Sequence, residues 1–238
     1  LTKLKGKVKH FYHLGAVYDL EASAEEMEKA NITGTRGALE FAETVNAGCF
    51  HLVSSIAAAG LYRGTFSEDM FEEAEELEHP YHRTKHDSEA MVRANGRIPF
   101  RVYRPGAVLG HSQTGFIDKI DGPYYFFKAL QKLRESWPRS IPLVGIEGGY
   151  INVVPVDFVF DAIASITRSG DAEGQCLHLV DPDPIPAAEM AGLLAEAYAG
   201  RPISYRLPYG AVELTLRPRF LRALFGGAPP ESLPYLCL

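Results

Sequence analysis

Cysteine is scarce: Cys49, Cys176 and Cys237 are the only three in 238 residues. They are widely spaced and show no metal-ligand pattern. Neither a disulfide framework nor a metal site is expected, and reduced thiols in a cytoplasmic setting fit them best. The chain also lacks any uninterrupted apolar run approaching the ~20 residues of a membrane helix, so no integral membrane span is expected. Its start, Leu1-Thr-Lys-Leu-Lys-Gly-Lys-Val-Lys9, is basic but carries no signal-peptide hydrophobic stretch. Dense Lys/Arg blocks are missing and the formal net charge is −6, which together speak against a nucleic-acid partner. No internal repeat or low-complexity tract is present.

What is present is ordinary for a globular protein: 46% hydrophobic and 23% charged residues, in a chain long enough to bury a substantial core. Strand-like and helix-like patterns alternate. Val8–Leu14 reads as a strand, Ala24–Ala30 as a polar helical turn, and Asn31–Asn46 as a helix capped by Asn31. Cys49–Ser54 reads as a short buried strand, Tyr81–Asn95 as a helix opened by Pro80, and Phe100–Tyr103 as a strand. Tyr150–Val154, Val156–Arg168, Gln175–Val180 and Ala187–Ala199 continue as strand, helix, strand and helix. This alternation predicts an α/β fold. The acidic stretch Leu61–Glu78 reads as a solvated loop, or as the rim of a site mouth. Tyr124-Tyr-Phe-Phe127 reads as the start of a core-facing helix or as an aromatic wall of an apolar tunnel. Val212–Phe225, broken by Pro218, reads as a lobe helix, with contact to an anionic lipid surface or a phosphorylated carrier as the other option.

Tyr81 and Lys85 share one helix face at i and i+4. A lysine ammonium beside a phenol favours the phenolate, so the pair is expected to lower the Tyr81 pKa from its usual ~10. A tyrosine so placed exchanges a proton with a carbonyl or alcohol. Ser55 lies upstream, at the carboxyl end of the strand Cys49–Ser54 and ahead of Ile56-Ala-Ala-Ala-Gly60. Open parallel sheets bind ligands at that end. On its own the Tyr-x-x-x-Lys spacing is weak, and a solvated lysine on an amphipathic helix explains it equally well.

Six segments in order carry a resemblance to the extended short-chain dehydrogenase/reductase superfamily. They are His13-Leu-Gly-Ala16, Asn31-Ile-Thr-Gly-Thr35, Val53-Ser-Ser55, Tyr81 with Lys85, Tyr103-Arg-Pro-Gly-Ala-Val-Leu-Gly110, and Ile151-Asn-Val-Val-Pro-Val-Asp157. Within it the chain resembles the amino-terminal domain of bacterial two-domain fatty acyl-CoA reductases, above all through Asp118-Lys-Ile-Asp-Gly-Pro-Tyr-Tyr-Phe-Phe-Lys128. The resemblance implies a Rossmann-like parallel sheet over 1–180, with substrate-lobe insertions at about 111–150 and a small C-terminal substrate-binding lobe over 181–238. It implies Ser55, Tyr81 and Lys85 as catalytic residues. Leu14, Gly15, Ala16, Asn31, Tyr81, Lys85, Pro105, Gly106 and Val108 are implied at the cofactor, and Ser55, Tyr124 and Phe127 at the substrate. Ser54 is the neighbour not chosen, because Ser55 has the family's offset to Gly60. NADPH is the implied hydride donor. An acyl-CoA, an acyl carrier protein or an aldehyde is the implied partner, with a second reductase domain in a full-length parent.

A dinucleotide-binding domain opens with a strand, a glycine-rich turn and a helix whose amino terminus faces the pyrophosphate. The sequence shows no such turn; Gly148-Gly149 and Gly226-Gly227 do not follow a strand and open a helix. The chain is therefore expected to be N-terminally truncated, starting at about the fourth strand of the domain. As written it should bind a dinucleotide poorly and be inactive alone. The residue that selects NAD from NADP would precede it. Two other readings stay open: a nucleotide-sugar epimerase or dehydratase on the same scaffold, and a non-catalytic dinucleotide-sensing module.

Overall fold

The computed structural model describes residues 1–18, 22–118, 143–147, 149–170, 174–200 and 202–208. In chain order these form β1 (His10–His13), α1 (Ala24–Met27), a π-helical stretch (Glu28–Thr33), α2 (Gly34–Thr44), β2 (Cys49–Val53), a 3₁₀ turn (Ile56–Ala59), α3 (Pro80–Asn95), β3 (Phe100–Pro105) and β4 (Ala107–Leu109). There follow β5 (Leu143–Glu147), β6 (Tyr150–Ile151), β7 (Val153–Pro155), α4 (Val156–Ser169), β8 (Cys176–Leu179), β9 (Ile185–Pro186), α5 (Ala187–Ala199) and β10 (Ile203–Pro208). Two compact units result: Leu1–Gly115 with Val154–Val180, and Phe116–Val153 with Asp181–Leu238. Tyr124, Phe127 and the segment Val212–Phe225 lie outside the described residues.

The first unit is built on a parallel sheet in the order β1-β2-β3-β8. Parallel neighbours need crossover helices, and these cover the sheet on both faces. Under α2 and α3, Leu39, Ala42, Val45, Phe50, Leu52, Val92 and Val102 form one core layer. Under α4, Tyr103, Val154, Val159 and Leu179 form another, backed by Ile163 and Ile166. A strand buried on both faces reads as a continuous apolar run, which is why Cys49–Ser54 was legible. The fold is α/β and Rossmann-like, as expected. In the second unit β10 pairs parallel with β5, and β6 antiparallel with β9. No described helix is long and apolar enough to cross a membrane.

The structure corrects the predicted helix over Asn31–Asn46. The helix starts at Ala24, where Ser23 and Glu26 form a capping box, and runs through the π-helical stretch into α2. Ser23 Oγ accepts from the Glu26 amide at 3.2 Å, and Glu26 Oε2 accepts from the Ser23 amide at 3.0 Å. That Ser-x-x-Glu pattern satisfies the free amides of the first turn, so Asn31 has no capping role. Instead it is interior and only 2% exposed. The strand predicted over Tyr150–Val154 is divided, with β6 and β7 flanking Asn152, whose amide pairs with the Asp181 backbone in both directions at 2.8 and 2.9 Å.

Candidate active site

Ser55 lies two residues past the end of β2 and caps the 3₁₀ turn, its Oγ accepting from the Ala57 amide at 3.2 Å. The segment closes at Gly60, with φ +66° and no room for a side chain: a Cβ would lie 1.8 Å from the Glu75 carbonyl oxygen. Tyr81 opens α3 behind Pro80. His79 caps that helix, its Nδ1 accepting from the Tyr81 amide at 3.2 Å. Tyr81 is half-buried, and the Ser55 side chain is near enough to its phenol to draw the phenol pKa down. Ser54, 4% exposed, has an Oγ with no hydrogen-bond partner. Of the two serines, Ser55 is the one that acts on the Tyr81 phenol.

The expected direction of the Tyr81 pKa is overturned. Burial pushes the phenol up, the Ser55 side chain opposes this, and the nearby Tyr18 adds to the rise. Burial disfavours the phenolate more than the surroundings favour it, so Tyr81 rests as a proton donor. Lys85, only 6% exposed, is the group pulled toward neutrality: burial lowers its pKa from 10.5 to about 8. Among the described residues no carboxylate forms an ion pair with it.

This makes Lys85 a stability liability. Its folded pKa of about 8 lies below the ordinary lysine value. Between these two values the unfolded chain binds the extra proton, so stability rises with pH across that window and the full penalty stands below it. The shift corresponds to on the order of 3 kcal/mol at neutral pH. Lys85→Met is expected to raise the urea midpoint at pH 7 and to lose most of that advantage by pH 10. Equal or lower stability at pH 7 would contradict a charged, buried Lys85.

The other site residues fall around this group. Leu14, Gly15 and Ala16 run on from β1, with Leu14 64% exposed. Asn31 Oδ1 accepts from the Val17 amide at 2.7 Å, and its Nδ2 donates to the Val17 carbonyl and to Thr84 Oγ1, both at 2.9 Å. It therefore ties the loop after β1 to α3 at the residue preceding Lys85. Pro105 and Gly106 lie at the end of β3, both buried, and Val108 is exposed on β4. Thus the ends of β1, β2 and β3 all deliver site residues to the carboxyl side of the sheet, where such folds bind ligands. Sequence reasoning quoted His13 only as part of a motif and passed over Tyr18, His79 and Thr84; none of these stands out by spacing.

The comparisons place the chain among the NAD(P)-binding, reductase-type domains of the extended short-chain dehydrogenase/reductase superfamily. The family model described as Male sterility protein (NAD_binding_4) matches residues 1–163, and the chain belongs to that family. Aldehyde reductase lnbA of Aspergillus flavus is 30% identical over 212 residues, covering 83% of this chain and 20% of that protein. Glycine betaine reductase ATRR of Emericella nidulans is 28% identical, covering 85% of this chain and 16% of that protein. The chain thus spans about a fifth of the length of the curated relatives it matches. Among solved structures, the terminal R domain from the myxalamid PKS-NRPS pathway superposes with a TM-score of 0.74 at 26% identity, over 98% of this chain and 57% of that one. UDP-glucuronic acid 4-epimerase from Bacillus cereus, with NAD, reaches 0.63 at 20% identity and shares the fold.

Proposed function

We propose that this chain carries the proton-transfer half of an NADPH-dependent reductase acting on a fatty acyl thioester or fatty aldehyde. The substrate would arrive free, on coenzyme A or on an acyl carrier protein, in the cytoplasm, with a second reductase domain in the parent protein. The observation that carries the reading is the approach of the Ser55 side chain to a protonated Tyr81, with Lys85 buried one turn further along α3.

The residues fit the nicotinamide-ribose half of the nucleotide. Lys85 offers a cation with no carboxylate paired to it among the described residues. Leu14, Gly15 and Ala16 form the loop that follows β1. When bound, the nicotinamide supplies the hydride. Tyr81 donates its proton to the carbonyl oxygen of the substrate. The Ser55 hydroxyl donates a hydrogen bond to the same oxygen and holds it in line with Tyr81. Lys85 holds a ribose hydroxyl, and its charge favours the phenolate that forms as the proton leaves.

Two measurements test this. Purified intact protein should oxidise NADPH with decanal or a long-chain acyl-CoA and yield the reduced product. Conversion of a UDP-sugar instead would support an epimerase or dehydratase. Titration calorimetry of the chain as written should show NADPH binding weaker than micromolar, since its sequence holds no glycine-rich turn for the pyrophosphate. Sub-micromolar binding would sink that expectation.

A further inference from the structure

The 3₁₀ turn that Ser55 caps is tied to the rest of the unit at both ends. Upstream, the Ser54 amide donates to the Tyr103 carbonyl of β3 at 2.8 Å. Downstream, the Leu61 amide donates to the Glu75 carbonyl at 2.8 Å, and the Glu75 amide to the Ala59 carbonyl at 3.2 Å. The downstream tie takes a donor away from the turn. A 3₁₀ turn runs on bonds between residues three apart, so the Leu61 amide would ordinarily serve the Ala58 carbonyl. Glu75 has claimed that amide, and Ala58 is fully buried. A buried carbonyl needs another donor.

His86 supplies it. Its Nδ1 lies 3.1 Å from the Ala58 carbonyl oxygen and carries the hydrogen, because a carbonyl only accepts. His86 belongs to α3, directly after Lys85. Its half-buried ring is held flat from the 61–78 segment: Phe71 stacks on it with centroids 4.2 Å apart and planes within 3°. The Arg93 guanidinium lies over that same Phe71 ring, 4.7 Å from its centroid. A ring stacked in this way has little freedom to turn, so its N–H is aimed at one place. The proton-transfer chemistry gives this side chain no role.

We propose that His86 is a positioning residue for the reduction: its bond to Ala58 locks the turn that bears Ser55 to the helix that bears Tyr81 and Lys85. The lock fixes where the serine hydroxyl stands relative to the phenol. The assignment rests on the reductase reading given above.

The test uses the intact protein, NADPH and decanal, with two variants that separate the hydrogen bond from the stack. His86→Phe keeps a ring against Phe71 and loses the donor. His86→Asn keeps a donor at the Nδ1 position and loses the stack. His86→Phe is expected to lower kcat at least tenfold, since displacement of a positioned group by about 1 Å costs on the order of 10²-fold. KM for decanal and the Kd for NADPH should stay within about twofold. His86→Asn should recover most of the turnover while unfolding at lower urea. A packing role predicts the reverse order in kcat, and that order overturns the assignment. Two readouts do not depend on catalysis. The ¹⁵N spectrum of the His86 ring should show a protonated Nδ1; a ring protonated at Nε2 alone overturns the lock. Hydrogen exchange at the Ala57 amide, which donates to Ser55 Oγ at 3.2 Å, should quicken about tenfold in His86→Phe with the urea midpoint kept. Unchanged exchange there also overturns it. Failure of the wild-type protein to reduce decanal or a long-chain acyl-CoA would overturn the reductase reading, and the tautomer and exchange would still decide whether His86 holds the turn.

Discussion

Tyr81→Phe is expected to lower kcat by about 10²–10⁴-fold, the usual contribution of a positioned general acid, while leaving NADPH affinity within about twofold. The substitution removes one oxygen and keeps the ring that opens α3. The Ser55 side chain remains the cap of its 3₁₀ turn through the Ala57 amide. With its pKa raised, the phenol is neutral in the folded and unfolded chains alike at pH 7, so its ionisation contributes nothing to stability there, and the loss should not exceed about one hydrogen bond, ~1 kcal/mol. Retention of near-wild-type turnover would rule out proton donation by Tyr81. The pH profile adds a second check. Lys85 titrates at about 8 while the Tyr81 phenol is pushed above its usual value, so the lysine loses its proton first. The alkaline limb of kcat/KM, which reports the free enzyme, should therefore fall near pH 8 and belong to Lys85.

This order of ionisation shows where sequence reasoning reached and where it stopped. Spacing placed Tyr81 and Lys85 on one helix face, and Pro80 marked the start of α3 correctly to within one residue. Spacing says nothing of desolvation, however. Burial of Lys85 depends on the Asn31 clamp onto Thr84 and on the loop after β1, and residues 14–18 and 84 are brought together only by the fold. The acidic stretch Leu61–Glu78 shows the same limit. Its glutamates at 72, 73, 75, 76 and 78 are indeed exposed. Its aromatic side chains are anchored: Phe71 stacks on His86 with ring centroids 4.2 Å apart, and Phe66 lies 5.2 Å beneath the Arg104 guanidinium. Glu68 accepts from the His178 amide on β8 at 2.6 Å. These partners lie up to 110 positions apart with no periodicity, so composition alone reads the segment as solvated loop.

Glu89→Ala is expected to destabilise the first unit by about 3–5 kcal/mol, the penalty for stranding a buried charge. Tyr81, Lys85 and Glu89 follow one another at i, i+4 and i+8 on α3, so the face that carries the site continues into an anchor. Glu89 and Arg104 both have fully buried side chains. Arg104 donates to Glu89 twice, through Nη2 at 2.6 Å and Nε at 3.1 Å, and Arg93 adds a third donor at 2.9 Å. Without the carboxylate, the Arg104 cation keeps, among the described residues, the Met70 carbonyl at 3.1 Å, the His178 ring at 3.3 Å and the Phe66 ring beneath it. Replacing both partners, as Glu89→Leu with Arg104→Leu, should cost less than Glu89→Ala alone, because the Arg104 cation is not left in the core without its carboxylate. The double variant still gives up the Met70 contact, and with it one tie between the 61–78 segment and the sheet. Since that segment joins Ser55 to Tyr81, the double variant should retain stability better than turnover. Urea unfolding and kcat measured on the same three proteins separate the two effects. A loss below about 1 kcal/mol for Glu89→Ala would mean that water reaches Arg104 and that the ion pair does not anchor α3.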